Sequence, residues 1–510
     1  MSVVRATAVD ETAPVANQQR PMRDKIVRGG LAVLLRQLFS LPVNAIGVTL
    51  ISRLLKPAVF GAQAVVTPAI SVALMAVDLG TSQALVQGHS APSRGLRRQV
   101  NLAKLLASAF TLALLYALGP RLMAHFNLTE ATSWLFPACG LVACLQSYRA
   151  YRAVELQRQL EWPRLAAVEV AELIVYNVTL VVFAYLWRSV WCFAVALAAR
   201  WIVGAALLRI WSPRLEPGPD AQERPLGALL GYSLPLQATS VLGIANALVN
   251  PMVVGRLHGV HASGIVNWTA SIIALAKLPF LPLPNFLFSV FAERNRQGRT
   301  DKELIASATY AVTLLVALFS LMIVISLDLL VAYLFGSRWR EAIPLVLPFI
   351  LHETITFPWV VMGAQLTASG HSRAWLALNV VQSALLWGFA GAGGWLYDLK
   401  GYVIGWVVAS FIGLVITGVA TRRLVQLNLR SLDVLVLSLL LYLSMLLGGW
   451  VRGAVPLSLP ASTAVALVAG VAVFTASVVP LGYLFRRRES QDLLMFIRWT
   501  RRALVDRRSK

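Results

Sequence analysis

Four basic residues lie inside long apolar stretches of this 510-residue chain, and they are the first candidates for chemistry. The four are Arg36, Lys104, Arg200 and Lys277. A charge at the centre of a membrane span costs ~2.5–3.5 kcal/mol on insertion scales, so such residues usually face a cavity or a pathway. Fixed cations suit an anionic ligand, and an arginine can hold a phosphate group through two parallel hydrogen bonds. For Lys104, extension of the side chain to the membrane interface is the alternative.

Acidic residues inside the long apolar stretches form a second set of candidates for chemistry. Its members are Asp78, Glu172 and Glu353. A buried carboxylate can bind a proton or a sodium ion and can couple the entry of that ion to the movement of a ligand. Glu169 lies three residues before Glu172, so the two carboxylates share one helix face, where pairing with Arg164 or Arg200 is their alternative role. For Asp78 the alternative is a structural ion pair.

A cluster of prolines follows Lys277 directly. Pro279, Pro282 and Pro284 fall within six residues, and each proline removes one helical hydrogen bond. Backbone groups freed in this way are tolerated at membrane depth only beside a cavity or against other protein. The cluster therefore predicts a hinge on a pathway through the membrane, with a packed kink as the alternative.

Two further arginines stand at the predicted outer ends of two spans. Arg53 and Arg256 could close a gate around an anionic ligand at that end. Basic anchors at the membrane interface are equally common at such positions, and they are the alternative for this pair.

The sequence lacks the residues that metal binding or nucleotide-driven transport would need. His258 and His261 have no further nearby ligands for a metal ion, and the three cysteines form no Cys-x-x-Cys pair. No Gly-Lys dipeptide occurs, so the sequence has no nucleotide-binding loop of the Walker type. We therefore predict no catalytic site, no metal and no cofactor, with a proton or sodium gradient as the energy source.

The amino-acid composition indicates the class of protein that positions these residues. Apolar residues make up 58% and charged residues 13%, whereas a soluble domain carries ~25% charged residues. With a mean hydropathy of +0.69, this excludes a soluble globular protein, a disordered chain and a disulfide scaffold. The net charge of +22 does not indicate nucleic-acid binding, because basic residues that flank membrane spans hold loops in the cytoplasm and touch anionic headgroups. The chain is predicted to be a polytopic membrane protein.

A membrane span needs about 20 mostly apolar residues, and fourteen such stretches can be counted. They lie at 29–52, 60–86, 99–118, 132–148, 165–186, 190–210, 226–250, 263–291, 304–327, 341–365, 374–396, 401–421, 432–450 and 461–485. With the N-terminus in the cytoplasm, 32 of the 45 Lys and Arg residues fall in cytoplasmic segments and nine in outer loops. This bias predicts that both termini are cytoplasmic.

The end of the first span resembles the end of the seventh. Arg53, Leu54 and Gly61 recur 203 residues further on, in the same order, and a long span with proline follows each copy. Six spans separate the copies, so the repeat is parallel. The expected fold is an all-α polytopic membrane protein with about 14 transmembrane helices, in which two six-helix lobes surround a central cavity and two C-terminal helices are appended. The expected parts are a cytoplasmic tail at 1–28, an N-lobe at 29–215, a C-lobe at 216–425, the appended spans at 426–485 and a basic cytoplasmic tail at 486–510.

Two short motifs carry a resemblance to a known family. They are Arg-Leu-Leu-x-Pro-x-x-Phe-Gly at 53–61 and Asp-Leu-Gly-x-Ser-x-Ala-Leu-Val-Gln at 78–87. With the 6 + 6 + 2 plan, the chain resembles the polysaccharide-transporter branch of the multidrug/oligosaccharidyl-lipid/polysaccharide exporter superfamily. These are the Wzx-type flippases of bacterial O-antigen, capsule and exopolysaccharide pathways.

The resemblance implies a secondary transporter in the inner membrane that moves an undecaprenyl-pyrophosphate-linked oligosaccharide to the periplasmic leaflet by ion-coupled alternating access. The six basic residues would then bind the pyrophosphate, and Trp268 or Trp359 could stack on sugar. Membrane lipids, a polysaccharide polymerase and export machinery are the implied partners. A membrane-embedded glycan polymerase or ligase is an alternative, disfavoured because such an enzyme needs a larger outer surface than short loops provide. A flippase of the peptidoglycan lipid precursor is the other alternative.

Overall fold

A computed structural model describes residues 13–82, 94–128, 134–159, 161–211, 240–277, 302–425, 431–454 and 457–485, with residues 85, 287 and 291. Helices dominate these ranges, which contain no strand. Ten of the described helices are long and apolar enough to cross a membrane. The predicted all-α polytopic membrane fold is confirmed, and its helices are consistent with about fourteen spans.

Six helices make up the first part of the chain. They are α1 (Ala13–Leu54), α2 (Pro57–Asp78), α3 (Arg94–His125), α4 (Leu135–Arg158), α5 (Trp162–Trp187) and α6 (Trp191–Trp211). Two of their bounds differ from the sequence prediction. Helix α1 begins within the predicted tail and, at 1.5 Å per residue, is roughly 63 Å long, about twice the thickness of the hydrocarbon core. Helix α2 ends at Asp78 rather than near 86, because Leu79 (φ 50°) and Gly80 (φ 69°) adopt left-handed conformations.

The next two helices form a hairpin, and a single glycine connects them. Helical residues run from 240 to 277, interrupted at Gly259, where φ is 86° and ψ is 170°. The side-chain amide of Asn250 donates to the carbonyl oxygen of Ser263 at 3.1 Å. In a straight helix these residues would lie roughly 20 Å apart, so the chain must reverse between them. Helix α7 therefore covers 240–258 and α8 covers 260–277, which confirms a break between the seventh and eighth predicted spans.

Six helices complete the described chain. They are α9 (Lys302–Leu329, continued by a π-helical turn at Leu330–Phe335), α10 (Ile343–Ala368), α11 (Ser372–Leu396), α12 (Asp398–Val425), α13 (Ser431–Ala454) and α14 (Leu459–Phe485). A 3₁₀ turn at Ser337–Ala342 joins α9 to α10. Helices α13 and α14 dock on α9, where Gly448 and Gly470 both pack against Ile325.

Helix α2 links the two halves of the molecule. It packs against α4 of the first half and against α8 of the second. We call the end of the bundle where α1 meets α2 and α7 meets α8 the outer end, since the charge pattern predicts that it faces away from the cytoplasm. The described connections at this end are short, and that between α1 and α2 has two residues.

Candidate functional site

A cavity of about 900 Å³ lies against α2 and is otherwise walled by α7, α8, α10, α11 and α12. Its described wall contains six side-chain amides, from Gln63, Asn246, Asn250, Asn267, Asn379 and Gln382. It also contains five large aromatic side chains, from Phe349, Trp359, Trp375, Tyr402 and Trp406. Amides offer both donors and acceptors of hydrogen bonds, and indole adds an N–H donor beside an apolar face. This wall suits a ligand that is rich in hydroxyl and amide groups.

Some of the hydrogen-bonding capacity of the wall is unused within the described protein. Oδ1 of Asn246, Nε1 of Trp359 and Oε1 of Gln382 are enclosed and have no hydrogen-bond partner there. A buried polar group without a partner costs ~1–3 kcal/mol, so natural proteins seldom keep several in one place without a reason. A polar ligand in the cavity would satisfy these atoms.

Charge is sparse along the cavity. Glu353 is the one carboxylate among the described lining residues, and no lysine or arginine is among them. His352 beside it contacts the hydroxyl of Ser410 through Nδ1. The place of Glu353 is compatible with ion coupling, and that role stays a prediction.

On the outer side of the cavity, α2 and α8 cross with their backbones in close contact. A methyl group on Gly61 would lie 1.9 Å from the carbonyl oxygen of Val260, and one on Gly264 would lie 1.8 Å from the carbonyl oxygen of Pro57. Pro57 and Val260 are 203 residues apart, as are Gly61 and Gly264. The two contacts are therefore related by the internal repeat. Only glycine permits this approach of two backbones.

Aromatic packing supports the crossing. The indole of Trp268 stacks on that of Trp339, with centroids 4.6 Å apart. Both indoles donate to Ser52, Trp268 to its hydroxyl at 2.8 Å and Trp339 to its carbonyl oxygen at 2.9 Å. Of the two tryptophans predicted to stack on sugar, Trp359 lines the cavity, whereas Trp268 is fully buried in this packing.

Arg53 and Arg256 also connect the two halves at the outer end. Arg53 donates to the carbonyl oxygens of Tyr333 and Leu334 at the end of α9. Arg256 lies 3.3 Å from Nε2 of His125 at the end of α3. Each arginine thus reaches the third helix of the opposite half. Their position fits an outer gate, and phosphate binding by them stays a prediction.

Lys104 and Asp78, predicted for different roles, form one polar network. Nζ of Lys104 lies 2.7 Å from Oδ1 of Asp78 and 3.1 Å from the hydroxyl of Ser147. The hydroxyl of Ser82 donates to the same carboxylate at 2.6 Å. This arrangement ties the inner ends of α2 and α3 to α4 and matches the structural alternative considered for Asp78.

A second charged cluster joins α1, α4, α5 and α6. Arg36 pairs with Glu169, and Arg149 pairs with Glu172 through Nε at 2.6 Å. The guanidinium of Arg149 also lies 3.7 Å from Glu169. Arg200 is close to this group, and its guanidinium carbon lies 4.5 Å from the ring centre of the adjacent Trp201. The cluster thus brings three predicted site residues together, namely Arg36, Glu172 and Arg200.

Arg149 is the member of this cluster that sequence reasoning missed. It was assigned to a cytoplasmic loop, but α4 continues to Arg158 and places Arg149 beside the fully buried Glu172. Gly204 of α6 makes room for that carboxylate, because a methyl group there would lie 1.9 Å from Oε1 of Glu172. The helical continuation of α4 past 148 is the signal that could have found it.

The remaining predicted residues lie at the limit of the described ranges or beyond it. Lys277 is the last residue of α8, and its side chain is not among those described. Pro279, Pro282 and Pro284 lie outside the described residues, as does the basic tail at 486–510. The hinge and the lysine site therefore stay predictions.

Comparisons with solved structures show which fold this is. Over 90% of this chain and 100% of the other, it matches the lipid II flippase MurJ in an inward closed conformation, with a TM-score of 0.61 and 13% identity. Over 77% of this chain and 99% of the other, it matches an inward-facing multidrug transporter of the MATE family, with a TM-score of 0.52 and 15% identity. At these identities the likeness shows a shared fold.

Comparisons of sequence show the family. The chain is 21% identical over 288 residues to the teichuronic acid biosynthesis protein TuaB of Bacillus subtilis (strain 168). That match covers 54% of this chain and 57% of TuaB. A family model described as "Polysaccharide biosynthesis protein" matches residues 50–344, which is more than half of the chain and includes both motif runs and the crossing of α2 and α8. This chain therefore belongs to the polysaccharide biosynthesis protein family.

Proposed function

We propose that this protein moves a lipid-linked oligosaccharide across the inner membrane by alternating access. The observation that carries the proposal is the cavity of amides and indoles, which lies next to the close crossing of α2 and α8. A cavity walled by hydrogen-bonding groups is what a carrier of a polar head group needs. The membership in a polysaccharide biosynthesis family and the names of MurJ and TuaB support a glycan on a lipid as the cargo.

In this proposal, different residues bind the two chemical parts of the cargo, which are the sugar and the undecaprenyl pyrophosphate. The sugar enters the cavity, where amide groups and tryptophans replace its hydration. The undecaprenyl pyrophosphate is held by cations, for which Arg36, Arg149 and Arg200 are candidates together with Lys277. Arg36 and Arg149 have carboxylate partners in this structure, so binding of a dianion there would require the ion pairs to rearrange. Opening of the crossing between α2 and α8 would then expose the sugar at the outer end.

We also propose that the energy comes from a proton or sodium gradient and that the protein is not an enzyme. Glu353 on the cavity wall and Asp78 in its network with Lys104 are the candidate ion sites. The short outer connections support a transporter over a polymerase or ligase. Arg188–Val190 joins α5 to α6, and single residues join α7 to α8 and α11 to α12, so these connections build no surface for a second glycan.

The test is transport of an undecaprenyl-pyrophosphate-linked glycan in proteoliposomes, with and without an imposed proton or sodium gradient. The variants are Trp359→Phe, which removes the indole N–H from the cavity wall, and Trp395→Phe as the matched control on the exposed face of the same bundle. We expect Trp359→Phe to slow transport roughly three- to tenfold, as for the loss of one hydrogen bond of ~1 kcal/mol. Trp395→Phe should transport at the wild-type rate.

Two results would count against the proposal. If the wild-type protein lengthens or transfers the glycan but does not move it between leaflets, the protein is an enzyme of the pathway. If it moves the glycan and both tryptophan variants match the wild type, the transport function stands but the cavity is not the path of the sugar.

A further inference from the structure

The two halves of the chain contribute very unequally to the cavity wall. The first half (α1–α6) supplies four of the described lining residues, Gln63, Ala64, Thr67 and Pro68, and all four lie on α2. The other described lining residues lie on α7, α8, α10, α11 and α12 of the second half. In the described part of the chain, the wall that faces a ligand is therefore mainly a surface of the second half.

The unpartnered polar atoms of the wall are distributed in the same way. Five enclosed atoms have no hydrogen-bond partner within the described protein, namely Oδ1 of Asn246, Nε1 of Trp359, Oε1 of Gln382, the hydroxyl of Tyr402 and Nε1 of Trp406. These residues all line the cavity, and they lie on α7, α10, α11 or α12. The atoms include donors, acceptors and a hydroxyl that can do both, a mixture that the hydroxyl groups of a sugar can satisfy. The hydrogen bonds left for a ligand are thus on the second half.

Two indoles and one amide form a corner within this wall. The ring centroids of Trp359 and Trp375 lie 5.8 Å apart, and the two ring planes are inclined by 64°. Oε1 of Gln382 and the indole of Trp359 both approach Gly413 of α12, so the amide lies beside that indole. An aromatic face is the negative end of a quadrupole and attracts the C–H groups on the face of a pyranose ring. The corner therefore offers one sugar ring an aromatic surface together with a hydrogen-bond acceptor.

Glycines make room for the side chains of this corner. A methyl group on Gly413 would lie 1.7 Å from Oε1 of Gln382, and one on Gly363 of α10 would lie 2.4 Å from the indole of Trp375. The amide and the indole thus occupy space that a larger residue would fill. The corner is fitted to its helices, which is how a protein fixes a binding group before the ligand arrives.

The helices that carry most of the corner are firmly joined to each other. A methyl group on Gly393 would lie 2.1 Å from the carbonyl oxygen of Gly401, and one on Gly405 would lie 2.2 Å from that of Phe389. Tyr397 alone connects α11 to α12. Because the connection is so short and the backbone contacts recur one turn apart, α11 and α12 move as a unit when the two halves change their arrangement.

We propose, building on the proposed function, that one sugar ring of the cargo binds at the corner of Trp359, Trp375 and Gln382 and stays on the second half while the first half moves. The crossing of α2 and α8 is the contact that opens in the proposed cycle, and the corner contains no residue of α2. The sugar therefore contributes the same affinity whether the outer end is open or closed. Movement of the first half changes which side of the membrane has access to the sugar, and it leaves the strength of sugar binding unchanged.

The experiment measures how much the sugar adds to binding. Undecaprenyl pyrophosphate with and without a linked glucose is titrated against the purified full-length protein in nanodiscs, and the ratio of the two dissociation constants gives the contribution of the sugar. We expect the glucose-bearing lipid to bind roughly tenfold more tightly, as for one stacked ring and one hydrogen bond. Equal binding of the two lipids by the wild-type protein would overturn the inference.

Two variants locate the sugar at the corner. Trp375→Leu removes the aromatic face but keeps an apolar side chain, and Gly413→Ala displaces the amide of Gln382, since the atoms nearest to the added methyl group belong to side chains. Each should lower the ratio roughly three- to fivefold and leave the binding of the sugar-free lipid unchanged. Gly391→Ala on α11 is the matched control, because a methyl group there meets nothing within 4 Å. A ratio equal to that of the control in both corner variants would place the sugar elsewhere.

A third variant tests whether the sugar stays on the second half. Gly264→Ala would place a methyl carbon 1.8 Å from the carbonyl oxygen of Pro57 and so forces α2 and α8 apart. The ratio should remain within about twofold of the wild-type value, because the corner does not include α2. A ratio as low as that of Trp375→Leu would show that α2 shares the sugar, and the inference would be wrong.

Transport in proteoliposomes separates this inference from the proposed function. If the wild-type protein moves the glucose-bearing lipid between leaflets but the corner variants keep the wild-type ratio, the proposed function stands and the inference fails. If the wild-type protein neither binds nor moves the glucose-bearing lipid, both fail.

Discussion

The crossing of α2 and α8 leads to the sharpest prediction, the effect of Gly264→Ala. The added methyl carbon would lie 1.8 Å from the carbonyl oxygen of Pro57, whereas ordinary contacts begin at 3.4 Å. The two helices must therefore separate by roughly 1.6 Å, because both neighbours are backbone and cannot rotate away. Overpacking of this kind costs ~1–3 kcal/mol. In the proposed transport cycle this cost falls on the state in which the crossing closes the outer end, so the equilibrium should shift towards an open outer end by roughly 5- to 150-fold.

The assay is the rate at which a membrane-impermeant maleimide, added on the outer side, labels a cysteine placed in the cavity just beyond the crossing. Thr67→Cys in a background without native cysteines provides that site, since Thr67 lines the cavity about 1.7 helical turns from Gly61. We expect labelling to accelerate within the range given above. Gly449→Ala is the matched control, because a methyl group at Gly449 meets nothing within 4 Å.

The internal repeat predicts the same effect for a second variant at the equivalent position. Gly61→Ala would place its methyl carbon 1.9 Å from the carbonyl oxygen of Val260, so it should accelerate labelling to nearly the same degree as Gly264→Ala. If either alanine variant labels at the rate of the Gly449→Ala control, the crossing is not the closure of the outer end. A large difference between Gly61→Ala and Gly264→Ala would refute the equivalence of the two contacts.

Two further predictions concern the charged networks. Gly204→Ala, which would place a methyl carbon 1.9 Å from Oε1 of Glu172, should destabilise the protein by ~1–3 kcal/mol and lower the Tm in detergent, whereas Gly453→Ala should not. Lys104→Met leaves Asp78 without its cation, which costs ~3–5 kcal/mol for a buried pair and should lower the Tm further. The double variant Lys104→Met/Asp78→Leu should recover most of that loss, and a double variant as unstable as the single one would contradict an ion-pair role.

Much of the fold could be predicted because the hydropathy and the charge of each whole segment can be read directly from the sequence. The positions of the spans, the break between α7 and α8 and the correspondence of Gly61 with Gly264 are all visible in the printed residues. The length of α1 was not predicted, because its polar first turns carry no hydropathy signal. The end of α2 was placed too late, because an apolar stretch does not reveal that Leu79 and Gly80 turn left-handed.

The candidate site was predicted less completely, for a physical reason. Charged residues in apolar stretches are easily identified as candidate site residues, as Arg36, Asp78 and Lys104 were. The sequence does not show which of them form ion pairs with each other. Neutral amides such as Asn246 and Gln382 carry no such signal, and only the folded chain places them on one cavity wall. Among the described residues, Arg36, Lys104 and Arg200 thus lie away from the cavity wall, although the sequence analysis grouped them with a cavity.

The short outer connections have a consequence for how other molecules meet this protein. Where α1 joins α2, α7 joins α8 and α11 joins α12, the chain turns within one or two residues. Proteases cut flexible segments of several residues, and antibodies raised against peptides need comparable stretches, so these turns offer neither a cleavage site nor a linear epitope. A protein that docks over these three turns would have to recognise the surface formed by the helix ends beside them, so its binding would depend on how those helices are arranged.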